Sequence, residues 1–237
     1  MQGFKAFIID PDSDARLRLR QSTSSVPDFK SVIQFSSPSE AINQLNQSDH
    51  VDVLFVSNRF GKGIVKNFIQ NGKQTKGGQD SAYVVVLPSL AEGKAILAEV
   101  MMDGADGILC EPFSVEQLTE ITRLATRVKK ERREAREKAA ISLLVPEIAK
   151  QVDLVATIRN SGMEPETSFK VLKELMEKIK GRGEFGISVF VEMFVSHVIA
   201  LPAPIINQQV KAYGGVSRRL KSKIEKKIAE KFSGEGL

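Results

Sequence analysis

The chain has 237 residues, 42% hydrophobic and 27% charged, a composition that supports folded domains and excludes a wholly disordered or fibrous protein. One cysteine, Cys110, and two histidines, His50 and His197, exclude an internal disulfide and any Cys/His metal spacing, and make a reducing, cytoplasmic setting the expectation. Residues 1–123 carry 12 Lys+Arg and 15 Asp+Glu, net −3, and residues 124–237 carry 22 and 14, net +8, so the basicity sits in the second half and hints there at an acidic or phosphate-bearing partner.

The opening Met1–Asp10 has too short an apolar run, and reaches an acid too early, for a secretory signal. Lys5–Ile9 reads as a strand ending at Asp10, and Ser13–Gln21 as a helix carrying Ala15, Leu17 and Leu19. Ser31–Phe35 is a β-branched run; Ser37 and Pro38 then cap and open a helix bearing Ala41, Ile42 and Leu45. Val51–Val56 is almost wholly apolar, as a strand covered on both faces must be, and Gly61–Gly63 turns into a helix over Val65–Ile69. After a polar loop, Gly72–Asp80, the pattern repeats: strand Tyr83–Leu87, helix Ala91–Met102 stopped by Gly104, strand Gly107–Cys110, and a helix capped by Ser114 with Val115, Leu118, Ile121, Ala125 and Val128. Five strand-helix units predict an α/β fold with a doubly wound, five-stranded parallel sheet. Sites in such sheets lie beyond the carboxyl ends of the strands, which directs attention to Asp10, Ser57, Ser89 and Glu111.

The last helix continues through a charged run to Lys138. Leu118, Ile121, Ala125 and Val128 have heptad-like spacing, but Arg132 occupies the next seam position, so a solvated connecting helix is favoured over a dimer seam and a homodimer stays open. Beyond residue 140 the strand signal ends. Pro146 is read as opening Glu147–Arg159, Pro165 as opening Glu166–Lys180, Ile187–Leu201 as the central helix of a small all-α domain, and Lys211–Phe232 as the closing segment. The most apolar stretch, Ile187–Ile206, holds Glu192, His197, Pro202 and Pro204, which suits a buried helix better than a membrane span. The expected domains are 1–125, a connecting helix 126–143, and 144–237.

Phe7-Ile-Ile-Asp10, Val53-Leu-Phe-Val56, Pro38-Ser-Glu-Ala-Ile42 and above all Gly104-Ala-Asp-Gly-Ile-Leu-Cys-Glu-Pro-Phe113 resemble the CheY-like receiver domain of bacterial response regulators, over residues 3 to 125. The resemblance implies a flavodoxin/CheY-like fold. It also implies an aspartate acceptor ending the third strand, an acidic pair for Mg²⁺ after the first, a hydroxyl after the fourth and a lysine before the last proline. Those places are held here by Ser57, by Asp10 and Pro11, by Ser89 and by Glu111. Serine is a weak nucleophile without a base, and its ester lacks the reactivity of an acyl phosphate. Pro11 offers no side-chain ligand, Asp12 is a weak substitute in a loop, and Glu111 repels the phosphate a lysine would bind. Ile108, where the family commonly has a mobile aromatic, reads as fixed core. The expectation is a phosphorylation-incompetent pseudo-receiver with no metal and no cofactor.

Several residues keep two readings. Glu111 is either an ion-pair partner of Arg59 or Lys62 or a solvated loop acid. Asp10, Asp12 and Asp14 read as a rim acid and helix N-terminal charges in preference to a metal site. Ser57 is a small polar filler or a kinase target. Cys110 beside Glu111 reads as unreactive, and His197 as a hydrogen-bonded core or interface residue. The tail from Lys211 carries 8 basic and 3 acidic residues. Its Arg218, Arg219, Lys221, Lys223, Lys226 and Lys227 could meet DNA phosphates, could dock on an acidic membrane surface, or could be solvated lysines around a packed Leu220, Ile224, Ile228 and Ala229 stripe; the last is preferred.

The leading expectation is a non-enzymatic, cytoplasmic signal-transduction protein of the two-component response-regulator type. It would act through protein–protein contact made by the last receiver helices and the apolar bundle face. The alternative is a receiver-linked transcriptional regulator whose basic C-terminal helical domain binds DNA. An enzyme is a third class, for which no convergent acid, base and nucleophile stand out.

Overall fold

Strand residues of the N-terminal half alternate strictly between two apolar layers, and this places helices on both faces of the sheet. In the computed structural model, which describes residues 3–89, 98–164, 166–201, 203–214 and 217–233, the strands are β1 (Phe4–Ile9), β2 (Phe29–Phe35), β3 (Val53–Ser57), β4 (Ala82–Leu87) and β5 (Gly107–Cys110). They form one all-parallel sheet in the order β2-β1-β3-β4-β5, the flavodoxin/CheY-like winding. Its helices are α1 (Ser13–Ser24), α2 (Pro38–Gln47), α3 (Lys62–Gly72), helical residues 98–102, and the first part of α4 (Val115–Asn160). The expected helix over Ala91–Met102 lies partly outside the described residues.

Ala6, Ile8, Phe55, Val84, Val86 and Leu109 pack with Leu19 of α1 and with Leu118, Ile121, Ala125 and Val128 of α4. Phe7, Ile9, Leu54, Val56, Tyr83 and Val85 pack with Ala41 and Leu45 of α2 and Val65, Phe68 and Ile69 of α3. The heptad-like residues of α4 are therefore buried within this unit and form no free seam. Local chemistry sets the starts. Asp12 caps α1, Ser37 caps α2 ahead of Pro38, and Ser114 and Gln117 exchange hydrogen bonds at the head of α4.

The chain divides into two compact units, Met1–Glu134 and Ala135–Leu237. The second is all-helical: the rest of α4, then α5 (Glu166–Lys180), α6 (Gly183–Val198), α7 (Ala203–Gly214) and α8 (Arg218–Ser233). Its core joins Ile141, Val145, Ile148 and Val152 of α4 to Leu172 and Met176 of α5, Phe190 and Phe194 of α6, Val210 of α7, and Leu220 and Ile224 of α8. Among the described residues, no helix is long and apolar enough to cross a membrane.

The helical half corrects the sequence reading at four points. Pro146 does not open a helix; it lies inside α4. A helix-interior proline costs about 3 kcal/mol, but Val145, Ile148, Ala149 and Val152 around it are all buried, and each such side chain contributes roughly 1–3 kcal/mol. The central helix spans Gly183–Val198 rather than Ile187–Leu201. The closing segment contains parts of two helices, α7 and α8. His197 is exposed, which overturns the core half of its core-or-interface reading, because the buried face of α6 runs through Phe190, Val191, Phe194, Val195 and Val198 and position 197 falls about a quarter-turn away.

At the amino-terminal edge of the sheet, α4 is tied down by two charge clusters. Asp52 accepts hydrogen bonds from the Lys5 amide at 2.9 Å, His50 Nε2 at 2.6 Å and Lys129 Nζ at 3.1 Å. One turn on, Arg132 Nη2 donates to both carboxylate oxygens of Asp106, at 2.8 and 2.9 Å, and its Nη1 donates to the Ser81 carbonyl, while Asp106 accepts the Tyr83 amide at 2.8 Å. Burial pushes the Asp52 carboxyl up, but the bonds from His50, the Lys5 amide and Lys129 more than offset this and hold it down to about 2. Since the folded state lowers this pKa from 3.8, the stabilisation is fully present above pH ~4 and lost as pH falls towards 2, an effect of about 2 kcal/mol. Unfolding curves of the wild type and Asp52→Asn should differ by that amount at neutral pH and converge near pH ~2; a constant gap would show that the carboxylate charge is not the cause.

Candidate functional site

Asp10, Ser57, Ser89 and Glu111 lie where strands β1, β3, β4 and β5 end or just beyond, so the topology gathers them at the carboxyl edge of the sheet. Asp10 is buried, with 4% exposure. Its Oδ1 accepts the Asp12 amide at 2.8 Å, its Oδ2 accepts Arg59 Nη1 at 2.9 Å, and its carbonyl accepts Arg16 Nη1 at 2.5 Å. The second fork of Arg59, Nη2, donates to Glu111 Oε1 at 2.9 Å, and Arg18 Nη2 reaches Glu111 Oε2 at 3.2 Å. One guanidinium thus bridges the acid after β1 and the acid after β5. Side-chain exposures of 24% for Arg59, 5% for Asp10 and 16% for Glu111 take this bridge out of the class of solvated surface pairs. Burial works against the charge on Arg59, but its bonds and proximity to Glu111 and Asp10 prevail and raise its pKa.

Between the two readings of Glu111, the geometry selects the ion pair with Arg59. Lys62 pairs with Glu99 instead. Ser57 is fully buried and its hydroxyl accepts the Arg59 amide at 3.2 Å, capping the short 3₁₀ turn Asn58–Phe60 and so placing Arg59 over the strand ends. Asp12 is the exposed N-cap of α1; the amides of Asp14 and Ala15 hold its carboxyl below the usual range. Pro11 is exposed and Ser89 half-buried. Ile108 is partly buried against the α2/α3-side core, and burial raises the Cys110 thiol.

The resemblance stated above implies Mg²⁺ at this edge, and the residues present do not fit it. Pro11 supplies no side-chain oxygen, Asp12 is committed to capping, and the buried Asp10 carboxylate already faces a guanidinium. Among the described residues, no three of His, Cys, Asp and Glu converge as metal ligands. The arrangement stabilises fixed charges and offers no activated nucleophile: the Ser57 hydroxyl has no base among its described hydrogen bonds.

The six basic tail residues lie on or at the start of α8 and are mostly engaged. Arg219 and Lys223 both pair with Glu184 of α6, at 2.5 and 2.8 Å. Lys221 pairs with Glu225 at 3.7 Å and Lys227 with Glu230 at 3.6 Å. Lys226 lines a groove with Lys223, Lys227, Glu192 and Glu230, so acids interrupt the basic surface there, and Arg218 is exposed. Of the expected stripe, Leu220, Ile224 and Ile228 pack on the helical core, whereas Ala229 is exposed.

Sequence reasoning missed Arg16 and Arg18 at the site, and Lys129 and Arg132 at the opposite edge. The cations of α1 stand two apart in a helix whose inward face is only Ala15, Leu19 and Thr23, and no local spacing singles out those that reach back over the strand ends.

No family model matches the chain, and no curated protein sequence matches it. Solved structures do resemble it. A response regulator from Thermotoga maritima is 18% identical, with 51% of this chain and 98% of that one covered and a TM-score of 0.43. A chain in the crystal structure of the P1 domain of CheA3 in complex with CheY6 from R. sphaeroides is 21% identical, with 54% of this chain and 99% of that one covered and a TM-score of 0.45. An adenylate cyclase structure from Rhodopirellula baltica is 18% identical, with 54% and 90% covered and a TM-score of 0.43. On its own strand order the N-terminal half of this chain has the flavodoxin/CheY-like fold, and the likenesses reach only about half of the chain.

Proposed function

We propose that this is a non-enzymatic signalling protein of the two-component response-regulator type, whose N-terminal unit is a pseudo-receiver working by protein–protein contact in the cytoplasm. The observation that carries the reading is the Arg59 bridge between Asp10 and Glu111, with Ser57 at the place of an acceptor aspartate. In a phosphorylatable receiver the charge at this edge changes with each cycle. Here two guanidiniums, Arg59 and Arg18, and two carboxylates, Asp10 and Glu111, balance one another without a phosphate, and a phosphoryl group would have to displace Arg59 from Glu111 while meeting that carboxylate's repulsion. Such a unit presents one fixed surface, and regulation would enter through its partner or through the helical half.

Incubation with acetyl phosphate and Mg²⁺ should leave the intact mass of the protein unchanged, and the mass of Glu111→Lys should stay unchanged as well, because Ser57 still replaces the acceptor. An added phosphoryl group on the wild-type chain would overturn the proposal.

A further inference from the structure

In the helical unit, α4 has a core face and an outward face that carries two exposed leucines. Ile141, Val145, Ile148, Val152 and Val155 form the core side. On the other side Leu143 is 80% exposed and Leu154 41%, with Glu147 and Lys150 exposed between them. The intervals from 143 to 147 to 150 to 154 are four, three and four residues. At about 100° per residue they make one stripe roughly opposite the core, with the seam spacing of a left-handed helix pair. Single exposed leucines are ordinary on a protein surface. Here two leucines bracket an acid and a base in an order that reads as its own complement when reversed.

A two-fold axis placed between Ile148 and Ala149 sets Leu143 against Leu154 of the partner subunit and Glu147 against Lys150 of the partner subunit. The same axis repeats both contacts in reverse, as an isologous interface requires. A parallel pairing would stack Glu147 on its own copy and Lys150 on its own copy, and like charges at facing seam positions repel. Glu147 holds the Gln151 amide through Oε1 at 3.0 Å, so its side chain is already steadied on this face. Charge complementarity thus selects both the occupant, a second copy of this chain, and its direction.

We propose that the Leu143/Glu147/Lys150/Leu154 stripe is a self-recognition surface on which two copies of the chain pair antiparallel along α4. The interface has two leucines per copy and two ion pairs in all, so the dimer is weak and reversible, distinct from the receiver-side seam whose apolar residues are buried.

Sedimentation equilibrium on the full chain, up to roughly 300 μM, tests this. The expected result is a monomer–dimer equilibrium. Leu143→Asp should raise the dissociation constant at least about tenfold, and Lys150→Glu, which sets acid against Glu147 twice, should do the same. The double exchange Glu147→Lys with Lys150→Glu should restore it to within about threefold, because the reversed pair is again self-complementary. All these positions are exposed, and circular dichroism checks that each variant is folded. A monomer at every concentration overturns the proposal, as does a dimer indifferent to Leu143→Asp. Failure of the double exchange to restore a dimer that the single exchange weakened overturns the antiparallel register.

Discussion

Gly72→Ala is expected to destabilise the N-terminal unit by about 3 kcal/mol, at the upper end of what overpacking costs. Gly72 ends α3 against Tyr83, and a Cβ there would stand 2.4 Å from the Tyr83 hydroxyl oxygen and 2.9 and 3.0 Å from its ring carbons. Tyr83 has no room to retreat. It is fully buried near the start of β4, edge-on to Phe68 at 6.1 Å, and its hydroxyl donates to the Gly78 carbonyl at 3.1 Å. Gly78 is closed in the same way, since a Cβ on it would meet the Gly72 carbonyl oxygen at 2.4 Å. These glycines serve close approach of backbone to ring, because neither has positive φ. Gly63→Ala, in the same helix with nothing within 4 Å of the added carbon, is the control and should be neutral or stabilising by up to about 1 kcal/mol. Urea unfolding of the three proteins measures this; equal midpoints for Gly72→Ala and wild type would show that the Tyr83 pocket yields.

Residues 1–134 expressed alone are expected to unfold in one cooperative step, whereas residues 1–125 should be less stable by roughly 5 kcal/mol. The shorter fragment loses Val128, 7% exposed in the sheet's core, worth about 2 kcal/mol. It also loses Arg132, whose removal takes the cation from both the Ser81 carbonyl and Asp106, a side chain only 15% exposed, at a cost of about 3 kcal/mol. Lys129 goes with them and leaves Asp52 to His50 and the Lys5 amide. A loss of that size reaches the lower end of ordinary domain stability, so the shorter fragment should be largely unfolded or molten by near-ultraviolet circular dichroism. Matching urea midpoints for the two fragments would place the edge of the unit before residue 126.

The strand-helix alternation and the two-sided burial of β3 and β4 were legible residue by residue, since apolar periods of two and of three to four are written locally in Val53–Val56, Tyr83–Leu87 and Ala41–Leu45. The caps at Ser37 and Ser114 were legible for the same reason. So were the departures at Pro11, Ser57 and Glu111 from the receiver pattern, once the strand ends were located. Pro146 was not: a proline ordinarily marks a helix start, and only the apolar contacts of its neighbours on α5 and α6 outweigh the backbone bond it removes.

By itself, then, the sequence determined a parallel α/β unit joined to helices, with Ser57 and Glu111 at the strand ends where the resemblance would put an aspartate and a lysine. The tertiary structure alone decided which charges meet. Arg59 lies 49 residues from Asp10 and 52 from Glu111, and Arg132 lies 26 from Asp106. Long, flexible cations have many acids within reach of their sequence neighbourhood, and the choice among them is made by where the sheet's winding order brings the strand ends together. Arg59 could have been a solvated loop cation and Arg132 a seam residue of a connecting helix. The order β2-β1-β3-β4-β5 sets one as the lock over the carboxyl edge and the other as the clasp beneath the amino edge.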